Sequence, residues 1–138
     1  MAGRAEKVFM LLLRLGVAGV FLSAGAIKAF DPAYFATQVN NYRLLPYAVS
    51  CAVGVYLPWL EIAGGAALAL GIWRAGATFL LGGMLVVFFI ALTSAWARGL
   101  DIECGCFGHA THKSNYPLSL LIETSLFAAL CIAIRRPK

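Results

Sequence analysis

Two thiols one residue apart, Cys104-Gly105-Cys106, stand in a polar stretch, Ala97–Gly108, of an otherwise very apolar chain. Their Cα atoms are close enough to bridge, and the glycine between them lets a tight ring reach backbone angles closed to other residues. Such a pair can cycle between dithiol and disulfide. The same sulfurs could instead grip a soft metal, or form a permanent disulfide with no chemistry. His109 and His112 follow at once, so that Cys104, Cys106, His109 and His112 make a ligand set suited to zinc or copper on one short loop.

The elements that position these groups follow from composition. Of 138 residues, 62% are hydrophobic and 12% charged, and the mean hydropathy is +0.84. A soluble domain of this length carries roughly twice the charge. The expectation is an integral membrane protein, one domain over residues 1–138, embedded in a lipid bilayer. The net charge of +5 comes without a basic run or interleaved aromatics, so it reads as a topology signal and nucleic acid is not an expected partner. The four cysteines, at 51, 104, 106 and 131, lack the spacing of a secreted disulfide framework.

Four spans are expected, at about 8–29, 47–73, 77–96 and 117–134, each long enough to cross a hydrocarbon core of about 30 Å. The first competes with a signal peptide ending at Ala24-Gly25-Ala26, but its length and Arg14 favour an uncleaved helix. Between the first two spans, Asp31-Pro32 reads as a helix start, and Phe35, Val39 and Tyr42 fall on one face. That predicts a short amphipathic helix in the membrane interface. The second span holds Pro58 and a small-residue cluster at Gly64–Ala67, and the link to the third is so short that the two must form an antiparallel hairpin. The fold class is thus an all-α, four-helix membrane bundle.

Four spans place both termini on one side. Six positive charges fall on that side (Arg4, Lys7, Arg74, Arg135, Arg136, Lys138) and four on the other (Lys28, Arg43, Arg98, Lys113). The bias points to cytoplasmic termini in a bacterial inner membrane, with the thiol loop outside, where disulfides form and persist.

Arg14, Glu61 and Glu123 fall inside spans, where each would cost a few kcal/mol facing lipid. Centring the spans on residues 18 and 60 predicts that Arg14 pairs with Glu61, that Glu123 faces the same interior, and that Lys28 snorkels to the headgroups. The cluster reads as a proton path or a pocket for a head group such as a quinone's, or as an ion pair that fixes helix register. Arg98 or a histidine beside the thiols could raise their thiolate fraction. Cys51 lies at the depth of the thiol loop and is a possible accessory thiol; Cys131 is expected to be a buried small hydrophobe.

These residues resemble a known family. Arg14-Leu15-Gly16, Phe21–Gly25 ending in Lys28, Leu57-Pro58-Trp59-Leu60-Glu61 and Cys104-Gly105-Cys106-Phe107-Gly108 are similar to the MauE branch of the MauE/DoxX family, over about residues 10–130. The resemblance implies a four-helix membrane bundle associated with redox processes, working beside a thioredoxin-like partner, with quinone-coupled chemistry among DoxX-type relatives. It implies that Cys104 and Cys106 are the redox pair and that Arg14, Lys28 and Glu61 are pattern residues of unassigned role. The chain departs from the pattern in His109-Ala110-Thr111-His112 and in Glu123.

Three functions are therefore open: a thiol–disulfide oxidoreductase or its membrane accessory, a Cys/His metal-handling protein, and an assembly subunit of a larger membrane complex or homo-oligomer whose disulfide is static.

Overall fold

A computed structural model describes residues 2–100 and 115–135. Five helices occur among them: α1 (Ala2–Phe30), α2 (Pro32–Asn41), α3 (Tyr47–Leu70), α4 (Arg74–Ala97) and α5 (Tyr116–Ala133). All but α2 are long and apolar enough to cross a membrane. The four expected spans are present, with ends shifted by a few residues.

Local chemistry explains where the helices stop. At α2, the Asp31 carboxylate accepts the Tyr34 backbone N–H at 3.0 Å and proline opens the first turn, as the sequence predicts. At the end of α3, Gly71 takes φ +71°, which frees the chain to fold back. There the Gly71 N–H donates to the Leu68 carbonyl and the Ile72 N–H to the Ala67 carbonyl. Gly99, at φ +67°, ends α4 the same way, with the Leu100 N–H donating to the Ala95 carbonyl. Pro58 does not break α3 but lies inside it.

The long helices form a ring in the order α1, α3, α4, α5, with α5 returning to α1 and α2 lying against α3. Glycines set the closest approaches. A Cβ on Gly25 of α1 would stand 2.8 Å from Ile62 Cγ1 and 2.9 Å from the Pro58 carbonyl, and one on Gly65 of α3 would meet Leu22 and Ala18. That pairing makes α1 and α3 antiparallel. Gly54 of α3 is equally tight against Ala36 of α2, where a Cβ would lie 2.6 Å from its neighbour's. One core cluster joins Val17, Phe21, Leu68, Leu81, Met84 and Leu130, contributed by all four spans. A second, Tyr42, Leu92 and Ala95, gathers at the other end, where Leu100 and Tyr116 also pack.

Candidate functional site

Leu100 and Tyr116, on either side of segment 101–114, come together at that second end. The Tyr116 hydroxyl donates to the Leu100 carbonyl. The Trp96 and Tyr116 rings stack, with centroids 6.1 Å apart and planes 5° from parallel. From the end of α4, Arg98 reaches across and donates through Nη2 to the Tyr42 carbonyl, which fixes the stem to α2. Two groups with full side-chain donors thus meet carbonyls that the helix and turn geometry leaves open. Cys104, Cys106, His109 and His112 lie outside the described residues. Cys51, half-buried, is in the opening turns of α3 at this same end.

Below the clamp sits a buried ion pair. Lys28 Nζ, in the last turn of α1, donates to Glu61 Oε1 at 2.7 Å and to Oε2 at 3.0 Å. Both side chains are almost wholly buried, 3% and 4% exposed. The ammonium also lies over two aromatic rings, 5.1 Å from the Phe35 centroid and 5.2 Å from that of Phe88. A cation held by a bidentate carboxylate and two π faces has exchanged its water shell for fixed partners.

This arrangement corrects the expected pairing. Glu61 is bound by Lys28, not by Arg14, and Lys28 does not snorkel away. Arg14 is one helix end distant: its Nη1 lies 3.4 Å from where a Gly71 Cβ would be. Gly71 is ten residues beyond Glu61 along α3, about 15 Å of helical rise. The reason is register. Gly25 seats α1 level with Pro58–Ile62, so that Lys28, one turn later, reaches Glu61 with its long side chain.

Phe35 and Phe88 serve a second purpose, because they also line an apolar groove between α2, α3 and α4 of about 700 Å³. Gln38, buried in the face of α2, and Tyr42, beneath the clamp, line it as well. Sequence reading placed Phe35 on the buried face of α2 but had no signal for Phe88, which stands in an unbroken apolar run. Glu123 is buried on α5, as expected, and lines a separate cavity of about 260 Å³ with Leu85, Val86, Phe89, Thr124 and Phe127. Cys131 is exposed on α5 and not buried, because α5 turns Leu130 and Ala133 inward and leaves residue 131 on its outer face. Among the described residues, no three His, Cys, Asp or Glu side chains converge in a metal-binding cluster.

A family model described as "Methylamine utilisation protein MauE" matches residues 6–135. The Methylamine utilization protein MauE of Paracoccus denitrificans is 31% identical over 130 residues, covering 94% of this chain and 69% of that protein. Its namesake in Paracoccus versutus is 36% identical over 128 residues, covering 92% and 68%. That of Methylorubrum extorquens is 35% identical over 108 residues, covering 78% and 58%. The chain therefore spans between 58% and 69% of the length of these relatives. No solved structure matches.

Proposed function

Since this chain belongs to the MauE family of multi-pass membrane proteins, we propose that it is a membrane-embedded thiol–disulfide redox protein, or the membrane accessory of one. Cys104 and Cys106 are its working pair and a thioredoxin-like protein is the partner. The observation that carries the reading is the double tie at the base of segment 101–114, Arg98 to Tyr42 and Tyr116 to Leu100. A fixed base on both flanks of the segment suits a thiol pair that must meet a partner's disulfide in line.

The chemistry is thiol–disulfide exchange. One thiolate attacks a sulfur of the partner's disulfide, and the S–S bond breaks with release of a partner thiolate. The second cysteine then attacks the mixed disulfide. The Cys104–Cys106 pair loses two electrons and two protons, and the partner becomes a dithiol. In the opposite direction the pair's disulfide oxidises a partner dithiol, and the two electrons and two protons pass to an acceptor. The groove favours a lipid-soluble quinone as that acceptor: its volume suits a small-molecule site, and its walls are aromatic and aliphatic.

The charge bias of the loops supports cytoplasmic termini and an outward thiol segment. The test is labelling of intact bacteria with a membrane-impermeant maleimide, with and without mild reductant. Labelling that appears only after reduction and vanishes in Cys104→Ser/Cys106→Ser is expected. If that double variant retains full activity in cells, the thiols are not the working pair.

A further inference from the structure

At the opposite end of the bundle, two guanidinium groups converge on one point. Arg14 Nη1 from α1 lies 3.4 Å, and Arg74 Nε and Nη2 from α4 each 3.5 Å, from the position a Cβ on Gly71 would occupy. The two cations are thus within about 7 Å of each other, where like charges repel unless something neutralises them. Neither makes an ion pair among the described residues. Arg14 Nε is buried and has no acceptor.

In the last turn of α3 the Leu68 and Ala67 carbonyls receive the Gly71 and Ile72 N–H groups, and Arg14 Nε finds no acceptor there. A buried donor without a partner marks a missing water, ion or ligand. Thr78, one turn past Arg74 on the same face of α4, also has a buried hydroxyl oxygen without a partner. Around the site the surface is basic and aromatic. Arg4 and Lys7 precede Arg14 on α1, and Trp73, 82% exposed, stands in the turn beside Arg74. An exposed tryptophan at the end of a span marks the headgroup level.

We propose that Arg14 and Arg74 form a clamp for a phosphate group at the α3–α4 turn, supplied by an anionic phospholipid headgroup or by a soluble phosphate. Planar guanidinium forks match the oxygens of a phosphate, and two of them from different helices would tie α1 to the α3–α4 hairpin through the anion.

The test uses the purified full chain in neutral detergent and two probes, phosphatidylglycerol and inorganic phosphate, with binding read by native mass spectrometry and by thermal shift. Phosphatidylglycerol is expected to bind the wild type, and its affinity to fall about tenfold or more in Arg14→Gln and in Arg74→Gln. Arg74 is exposed, so its variant folds even if Arg14→Gln does not. Arg4→Gln/Lys7→Gln removes two positive charges from the same end, more than either clamp variant, and leaves the affinity within about twofold. Arginine-dependent binding of inorganic phosphate without phosphatidylglycerol binding would identify the soluble source for the same clamp. Equal binding of both probes by wild type and clamp variants, no binding to the wild type, or an equal loss in the Arg4/Lys7 control would each overturn the proposal.

Discussion

Lys28 of α1 and Glu61 of α3 hold one another in a bidentate ion pair inside the bundle, with Nζ 2.7 Å and 3.0 Å from the two carboxylate oxygens. Removing one partner leaves the other charge buried and alone. Lys28→Met should therefore destabilise the protein by about 3–5 kcal/mol, and Lys28→Met/Glu61→Met should recover most of that loss. Unfolding in mixed micelles measures both. A single variant as stable as the wild type would mean the pair is not buried as described.

Glycine contacts predict a contrast between sites. Gly25→Ala would drive a methyl into Ile62 and the Pro58 carbonyl, beside the ion pair. A loss of about 1–3 kcal/mol is expected. Gly54→Ala, against the backbone of Ala36, should cost as much. Gly83 has open space around its Cβ position, so Gly83→Ala should be neutral or stabilising by up to about 1 kcal/mol. Equal effects at Gly25 and Gly83 would contradict the packing.

Tyr116→Phe keeps the ring that stacks on Trp96 and deletes only the hydroxyl bonded to the Leu100 carbonyl. The global cost should be about 1 kcal/mol. Its sharper effect should be on thiol chemistry: exchange at Cys104 and Cys106 slowed several-fold while the helical spectrum is unchanged. Unaltered exchange kinetics would separate the clamp from the function.

His109→Ala/His112→Ala tests the redox reading against metal handling. Thiol–disulfide exchange should persist largely intact in this variant. Stoichiometric zinc or copper binding by the wild type that disappears together with activity in the variant would favour the metal.

Much of this architecture was legible before any coordinates. Runs of about twenty apolar residues announced the spans, and Asp31-Pro32 announced α2, because both signals are local. The partner of Glu61 was not local. Estimating depth from the centres of the apolar runs placed Arg14 opposite Glu61, yet helix register is set by where surfaces approach most closely. Gly25 against Pro58 was the informative residue, and it reads in the sequence as one small side chain among many. Phe88 was hidden for the opposite reason: in an unbroken apolar helix, periodicity does not say which face meets a cation. Cys131 misled in the same way, since a lipid-facing and a core-facing cysteine occupy equally apolar surroundings.

The ion pair also bears on how the spans assemble. Its two residues are 33 positions apart and belong to different spans, so neither span carries the other's counter-charge within itself. Lys28 lies in the last turn of α1, where an unpaired ammonium can stay hydrated. Glu61 lies deep in α3 and has no such refuge. Only the assembled pair of α1 and α3 neutralises both groups, which ties the burial of Glu61 in the hydrocarbon to the register those two helices adopt.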